Sequence, residues 1–319
     1  MYEGEQMQAI TDHILTDWDQ EKAAAFCKRP VVAQHNLHQR QMFSDDGLAD
    51  LLDRYPREAF NLYTMDNAAS AKADTFRRGV PGDLNGEEIL NAIKSGRLWV
   101  NLRNANHHLP EYADLCDQMF SELGEGTPGL RTLKRDVGVL ISSPNARVFY
   151  HLDIPLVTLW QIKGEKTMYV YPTGAAYARD EQIEAIVLKE TEEEIDYDDA
   201  YDRGAQKIVM TPGKMANWPQ NAPHRIDNSD CLNVSLSCEF MTPAAIIRAN
   251  ALYTNGIMRR RFGMNPSIEK DGQVAQLTKA ALARGLKLFN SGKSFEAIVE
   301  PTFVIDPNAE HSVRDLTAA

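Results

Sequence analysis

The run HLDIPLVTLWQIKGEKTMYVYP, residues 151–172, decides the fold. It is dense in β-branched and aromatic residues and is broken by Ile154-Pro155 and by Lys163-Gly164-Glu165, so it reads as short strands joined by tight turns. Working outward, the same period of two holds at 137–142 and 146–152 before the run, and at 207–210 and 231–240 after it. In 232–240 Asn233, Ser235, Ser237 and Glu239 share one face, while Leu232, Val234, Leu236, Cys238 and Phe240 share the other. Closely spaced strands imply a sandwich or barrel. The polar face of 232–240 then either lines an interior or forms a solvent-facing edge.

Helical spacing flanks this block on both sides. Met7, Ile10, Ile14 and Trp18 predict one helix, and further helices are expected at 45–54, 86–95 and 111–123, with a short strand at 98–102. The expected division is a mainly helical 1–130, a β core over 131–242 with an acidic insertion at 177–203, and a helical C-terminal extension over 243–319. At 272–290 Val274, Leu277, Ala281 and Leu288 form an apolar stripe, with Gly285 on the same face. That stripe predicts a homodimer or packing onto the N-terminal helices.

The chain has 319 residues, with 34 Lys and Arg against 45 Asp and Glu, a net charge of -11 that argues against a nucleic-acid surface. The one tight basic run, Arg259-Arg260-Arg261, reads as a solvated or carboxylate-paired helix end. No apolar stretch approaches the roughly 18 residues a membrane span needs. The acidic N-terminus is unlike a signal peptide, so the expectation is a cytoplasmic protein without membrane contact. Cys27, Cys116, Cys231 and Cys238 lack paired metal or redox spacing and are expected reduced and packed. Residues 177–203 hold eleven acids against three bases. This segment can fold over a barrel mouth, where it would favour a neutral or basic substrate.

His151 and Asp153 stand two apart, so on a strand an imidazole and a carboxylate point to one face. Chance supplies such pairs readily, and a distant second histidine is required. His224 answers it, in PGKMANWPQNAPH at 212–224. Two histidines and one carboxylate leave positions open on an octahedral ion, whereas structural zinc is closed by four protein ligands.

Together 151–172 and 212–224 resemble the JmjC-type and cupin-like Fe(II)/2-oxoglutarate oxygenases, in the asparaginyl-hydroxylase-like branch, over about residues 90–242. The resemblance implies a mainly β double-stranded β-helix, or jelly roll, with N- and C-terminal helical elaborations. It implies that His151, Asp153 and His224 hold Fe(II), with 2-oxoglutarate and O2 as co-substrates. Gln161, Gly164 and Lys166 match the family turn, and Lys166 takes the position that binds the far carboxylate of 2-oxoglutarate, a charge-assisted contact. Val148 and Trp99 stand where the family often has a Thr and a Tyr. Tyr150, Thr158, Ser142 and Ser237 are the candidate hydroxyls to replace them, and Asn101, Gln161 and Glu239 are expected to face substrate. The activity implied is hydroxylation of a protein side chain, an amino acid or a small metabolite. The alternatives are a metal-dependent cupin enzyme without 2-oxoglutarate and a non-catalytic binding or regulatory protein.

Overall fold

The computed structural model of the chain describes residues 13–65, 76–289 and 300–316. The N-terminal part gives α1 (Gln20–Ala25), β1 (Val31–Gln34), α2 (Asp45–Arg54), β2 (Asn61–Thr64), β3 (Arg77–Val80), α3 (Gly86–Ser95), β4 (Trp99–Leu102), α4 (Ala105–His108) and α5 (Pro110–Gly126). Then come β5 (Leu133–Ser142), β6 (Arg147–His151), β7 (Leu156–Lys163), β8 (Lys166–Val170), α6 (Asp180–Val187), β9 (Gln206–Met210), β10 (Lys214–Asn217), β11 (His224–Asn228) and β12 (Asn233–Met241). The chain continues through α7 (Pro243–Phe262), α8 (Gln273–Phe289), β13 (Phe303–Ile305) and β14 (Val313–Asp315).

Two sheets result: a ten-stranded one in the order β1-β10-β7-β12-β5-β4-β2-β3-β13-β14 and a four-stranded one in the order β6-β11-β8-β9. One hydrophobic cluster draws on both, joining Val157, Leu159 and Ala216 of the large sheet to Met168, Val170, Met210 and Ile226 of the small one. The sheets therefore face each other. The other side of the large sheet carries Trp160, Leu236, Cys238 and Phe240 into a larger core with Leu48 and Leu52 of α2, Ile89 and Ile93 of α3, and Met119 and Phe120 of α5. The two faces of β12 thus divide as its alternation requires, apolar side toward the helices and polar side toward the space between the sheets.

The N-terminal part holds more strand than its spacing predicts. β1, β2 and β3 extend the large sheet, and β3 pairs parallel with β13 from the far end of the chain, so the C-terminal extension is not helical throughout. Of the helix predicted through Met7 and Trp18, Met7 and Ile10 lie outside the described residues. From residue 13 to 19 the backbone is not helical: Leu15 bridges His35, and Ile14 is buried in a bend. The helices at α2, α3 and α5 form where the spacing places them, with Ser44 and Asn85 accepting backbone N–H bonds as caps. All four cysteines are free.

α8 rests on α7, with Ala283 fully buried, and Thr254 of α7 donates to the Lys279 carbonyl. Its stripe at Val274, Leu277 and Leu288 stays exposed. The basic run at the end of α7 does not stand free: Arg259 pairs with Glu181 and Glu184, and Arg260 with Glu184 and Glu190, fastening α6 of the acidic insertion to α7. Among the described residues no helix is long and apolar enough to cross a membrane.

Candidate metal centre

β6 and β11 run antiparallel with His151 directly opposite His224, which brings the two imidazoles to 4.1 Å between ring centroids with their planes tilted 52° to each other. Asp153 follows in the turn after β6. Its Oδ1 is 3.9 Å from His151 Nε2 and its Oδ2 is 3.4 Å from His224 Nε2. One ligand atom from each of the three residues falls within 4.8 Å of the others.

Each imidazole is aimed by a backbone carbonyl. His151 Nδ1 contacts the Phe149 oxygen at 2.8 Å and His224 Nδ1 the Ala222 oxygen at 3.2 Å. A carbonyl only accepts, so both Nδ1 atoms carry the proton and both Nε2 lone pairs point at the centre. Burial, and then the neighbouring His151, push His224 down to about 4, keeping it neutral as a ligand must be. Asn221 adds an outer support: its Nδ2 donates to the Asp153 carbonyl at 3.0 Å, and its Oδ1 accepts from Arg248 Nε of α7 at 3.1 Å. The donor set suits a divalent metal ion with open positions.

The centre lies at the wall of a cavity of about 120 Å³. Trp99, Asn101, Val148, Leu159, Trp218, Ser237 and Glu239 line it. Of the residues the sequence singles out, Asn101, Glu239 and Ser237 thus line this space, together with Trp99 and Val148. The other candidates do not. Tyr150 is one residue from His151 and so faces the opposite side of β6, where its hydroxyl donates to the Tyr177 carbonyl at 2.9 Å within a cluster of tyrosines. Thr158, between Val157 and Leu159, is turned into the large core, and Trp160 Nε1 donates to its hydroxyl. Ser142 accepts from Asn228. Gln161 is consumed in the turn: its amide nitrogen donates to Lys163, Gly164 and Asn233, and its oxygen accepts from Ser235.

Lys166 is 4 % exposed, on the inward face of β8 with Met168 and Val170. It does not line the cavity itself. Among the described residues its ammonium has neither a carboxylate partner nor a hydrogen-bond acceptor, and burial alone pushes it down to about 7.

Three residues that sequence spacing does not single out complete the cavity. Arg103 and Asp136 come from the ends of β4 and β5, and Glu193 comes from the acidic insertion. The insertion pairs with the metal-bearing strand: the Leu152 N–H donates to the Glu193 carbonyl at 3.2 Å, and the Ile195 N–H to the Tyr150 carbonyl at 3.3 Å. Burial, and then the Asp153 charge, push both Glu193 and Glu239 up to about 7, while Arg103, 3.8 Å from Glu239, pulls both down.

This is the architecture of a mostly β, cupin- or JmjC-like protein with helical additions. Among the solved structures it resembles are several of YcfD from Escherichia coli. An X-ray structure of that protein matches with a TM-score of 0.51 at 17% identity, over 90% of this chain and 71% of YcfD. A structure of YcfD as a ribosomal oxygenase in complex with cobalt and 2-oxoglutarate matches at 0.50 and 17% identity, over 92% and 75% of the two chains. No family model matches the sequence, and no curated protein resembles it in sequence.

Proposed function

We propose that the chain is a JmjC-type Fe(II)- and 2-oxoglutarate-dependent oxygenase, a hydroxylase built on a double-stranded β-helix. The observation that carries this reading is Lys166, a buried ammonium with no counter-ion among the described residues, on the inward face of the sheet that also bears both histidines. A buried charge is stable only when paired, and a dicarboxylate chelated to the metal at its inner end would bring the missing anion. Its arrival would return Lys166 to the charged form. The sequence match at Gln161, Gly164 and Lys166 keeps the asparaginyl-hydroxylase-like branch as the proposed subgroup.

His151, Asp153 and His224 would hold the metal through Nε2, carboxylate and Nε2. Lys166 would hold the far carboxylate of 2-oxoglutarate, and Ser237 offers a hydroxyl in the cavity wall. Iron with 2-oxoglutarate and O2 supplies the oxidising chemistry when bound. Val148, Leu159 and Trp218 keep water from the centre, which strengthens each polar contact inside it. Asp136, Glu193 and Glu239 outnumber Arg103 around the cavity, which favours a neutral or cationic reacting group. YcfD's description as a ribosomal oxygenase favours a peptide or protein over a small metabolite.

Anaerobic reconstitution with Fe(II) and 2-oxoglutarate tests the reading. The weak visible band of the metal chelate is expected. Bound iron without that band would point instead to a metal-dependent cupin enzyme that does not use 2-oxoglutarate.

A second copy is the proposed cover for the α8 stripe. Leu277→Lys should then halve the mass seen by light scattering, and an unchanged mass would remove the dimer.

A further inference from the structure

A cavity of about 120 Å³ cannot contain a co-substrate and a whole substrate, since sites for drug-sized ligands run to roughly 300–1,000 Å³. The part of the substrate that does not react must lie elsewhere. A second cavity of about 740 Å³ shares Arg103, Asp136, Glu193 and Glu239 with the first, so these four side chains form a neck between them. Beyond the neck part of its wall is apolar, with Ile154, Ile186, Ile246 and Tyr253 from the insertion, α7 and the turn after β6.

The outer cavity carries the opposite charge to the neck. Lys134, Lys189 and Lys287 line it, and among the described residues none is paired with a carboxylate. Lys287, from α8, donates to Asn250 Oδ1 at 2.8 Å and lies 5.0 Å from the Tyr253 ring centroid. Burial and then Lys134, which approaches from β5, hold Lys287 below its ordinary value. Two ammoniums that repel each other in a chain of net charge -11 leave a place for an anion. Glu192 on the same wall disfavours a dianion and so favours a single carboxylate.

We propose that the outer cavity is the subsite for the non-reacting part of the substrate, an apolar chain ending in a carboxylate held by Lys134 and Lys287, with the reacting group passing the carboxylate neck. This rests on the reading of the inner cavity as the reaction site. It makes the substrate bifunctional, with a cationic or neutral end inward and an anionic end outward.

The test uses ω-amino acids from 6-aminohexanoate to 12-aminododecanoate, with the alkylamine and alkanoate of each length as one-headed controls. Binding is measured calorimetrically to the full chain, with and without Co(II) and 2-oxoglutarate. One chain length should bind about tenfold tighter than either control, the gain expected of a second charge-assisted contact. Replacing both Lys134→Gln and Lys287→Gln should reduce that amino acid to the affinity of its alkylamine and leave the alkylamine unchanged. Glu239→Gln should weaken the alkylamine and not the alkanoate. If no ω-amino acid exceeds its controls, or the double lysine variant binds it as before, the subsite is wrong. If Co(II) and 2-oxoglutarate fail to bind while the lysine variant still loses the amino acid, the reading of function falls and the subsite stands.

Discussion

Glu184 is 0 % exposed and lies 2.8 Å from Arg259 and 3.4 Å from Arg260, whereas Lys166 is 4 % exposed and meets no carboxylate among the described residues. Burial raises the carboxyl of Glu184 above its ordinary value, and the two guanidiniums oppose that rise. Burial lowers Lys166, and nothing opposes it. A closed network of the first kind fastens one element to another, here α6 to α7. An open valence of the second kind costs stability unless something outside the chain completes it. The difference is the one expected between a side chain that serves the fold and one proposed to serve a ligand.

The largest effect that would sharpen this contrast is on stability. Glu184→Ala leaves Arg259 and Arg260 without their buried partner and should cost about 3–5 kcal/mol in denaturant unfolding. Lys166→Met should do the opposite, stabilising the ligand-free protein by about 1–4 kcal/mol at or below neutral pH. The sign follows from linkage. Between the folded value of about 7 and the ordinary 10.5 the unfolded chain holds a proton that the folded chain has released, so the wild type gains stability as pH rises through that window. The advantage of Lys166→Met should therefore be full below pH 7 and vanish above 10.5. A destabilised Lys166→Met would break the comparison.

Smaller effects test the supports around the centre. Asn221 has a φ of 61°, so Asn221→Gly keeps the backbone while removing the bonds to the Asp153 carbonyl and from Arg248. Metal affinity should fall about ten- to a hundredfold in a Co(II) titration with the fold intact. Smallest of all, Glu193→Gln should weaken an alkylamine a few-fold, while Asp198→Asn and Asp199→Asn, which do not line the cavity, should leave it unchanged. Equal loss in all three would mean that the insertion acts through its overall charge.

The candidate metal ligands were legible because their spacing brings them to one side of the sheet: His151 ends β6 opposite His224 of β11, and Asp153 follows two residues later in the turn. Strand parity excludes Tyr150 and Thr158, each one residue from an inward-facing neighbour, so the rule that finds His151 also shows that hydroxyls near it in sequence need not be near it in space. Gln161 has the correct parity but sits where the β7–β8 turn needs its amide. Arg103 and Asp136 left no local signal, and Glu193 was marked only as one acid of the charged insertion, because the neck is assembled by the pairing of the insertion with β6 and by the convergence of β4 and β5. β2, β3 and β13 are three or four residues long, too short for alternation to declare itself.

Lys166, unpaired among the described residues, is proposed to await the far carboxylate of a metal-bound dicarboxylate. This is tested most directly by titrating 2-oxoglutarate into the Co(II)-loaded wild type and Lys166→Met, with Co(II) affinity measured separately in each. The account predicts that Co(II) binding is equal in the two proteins while 2-oxoglutarate binding falls at least about tenfold in the variant, the loss of a charge-assisted contact. Unchanged 2-oxoglutarate affinity, or a parallel loss of Co(II) and 2-oxoglutarate, would contradict it.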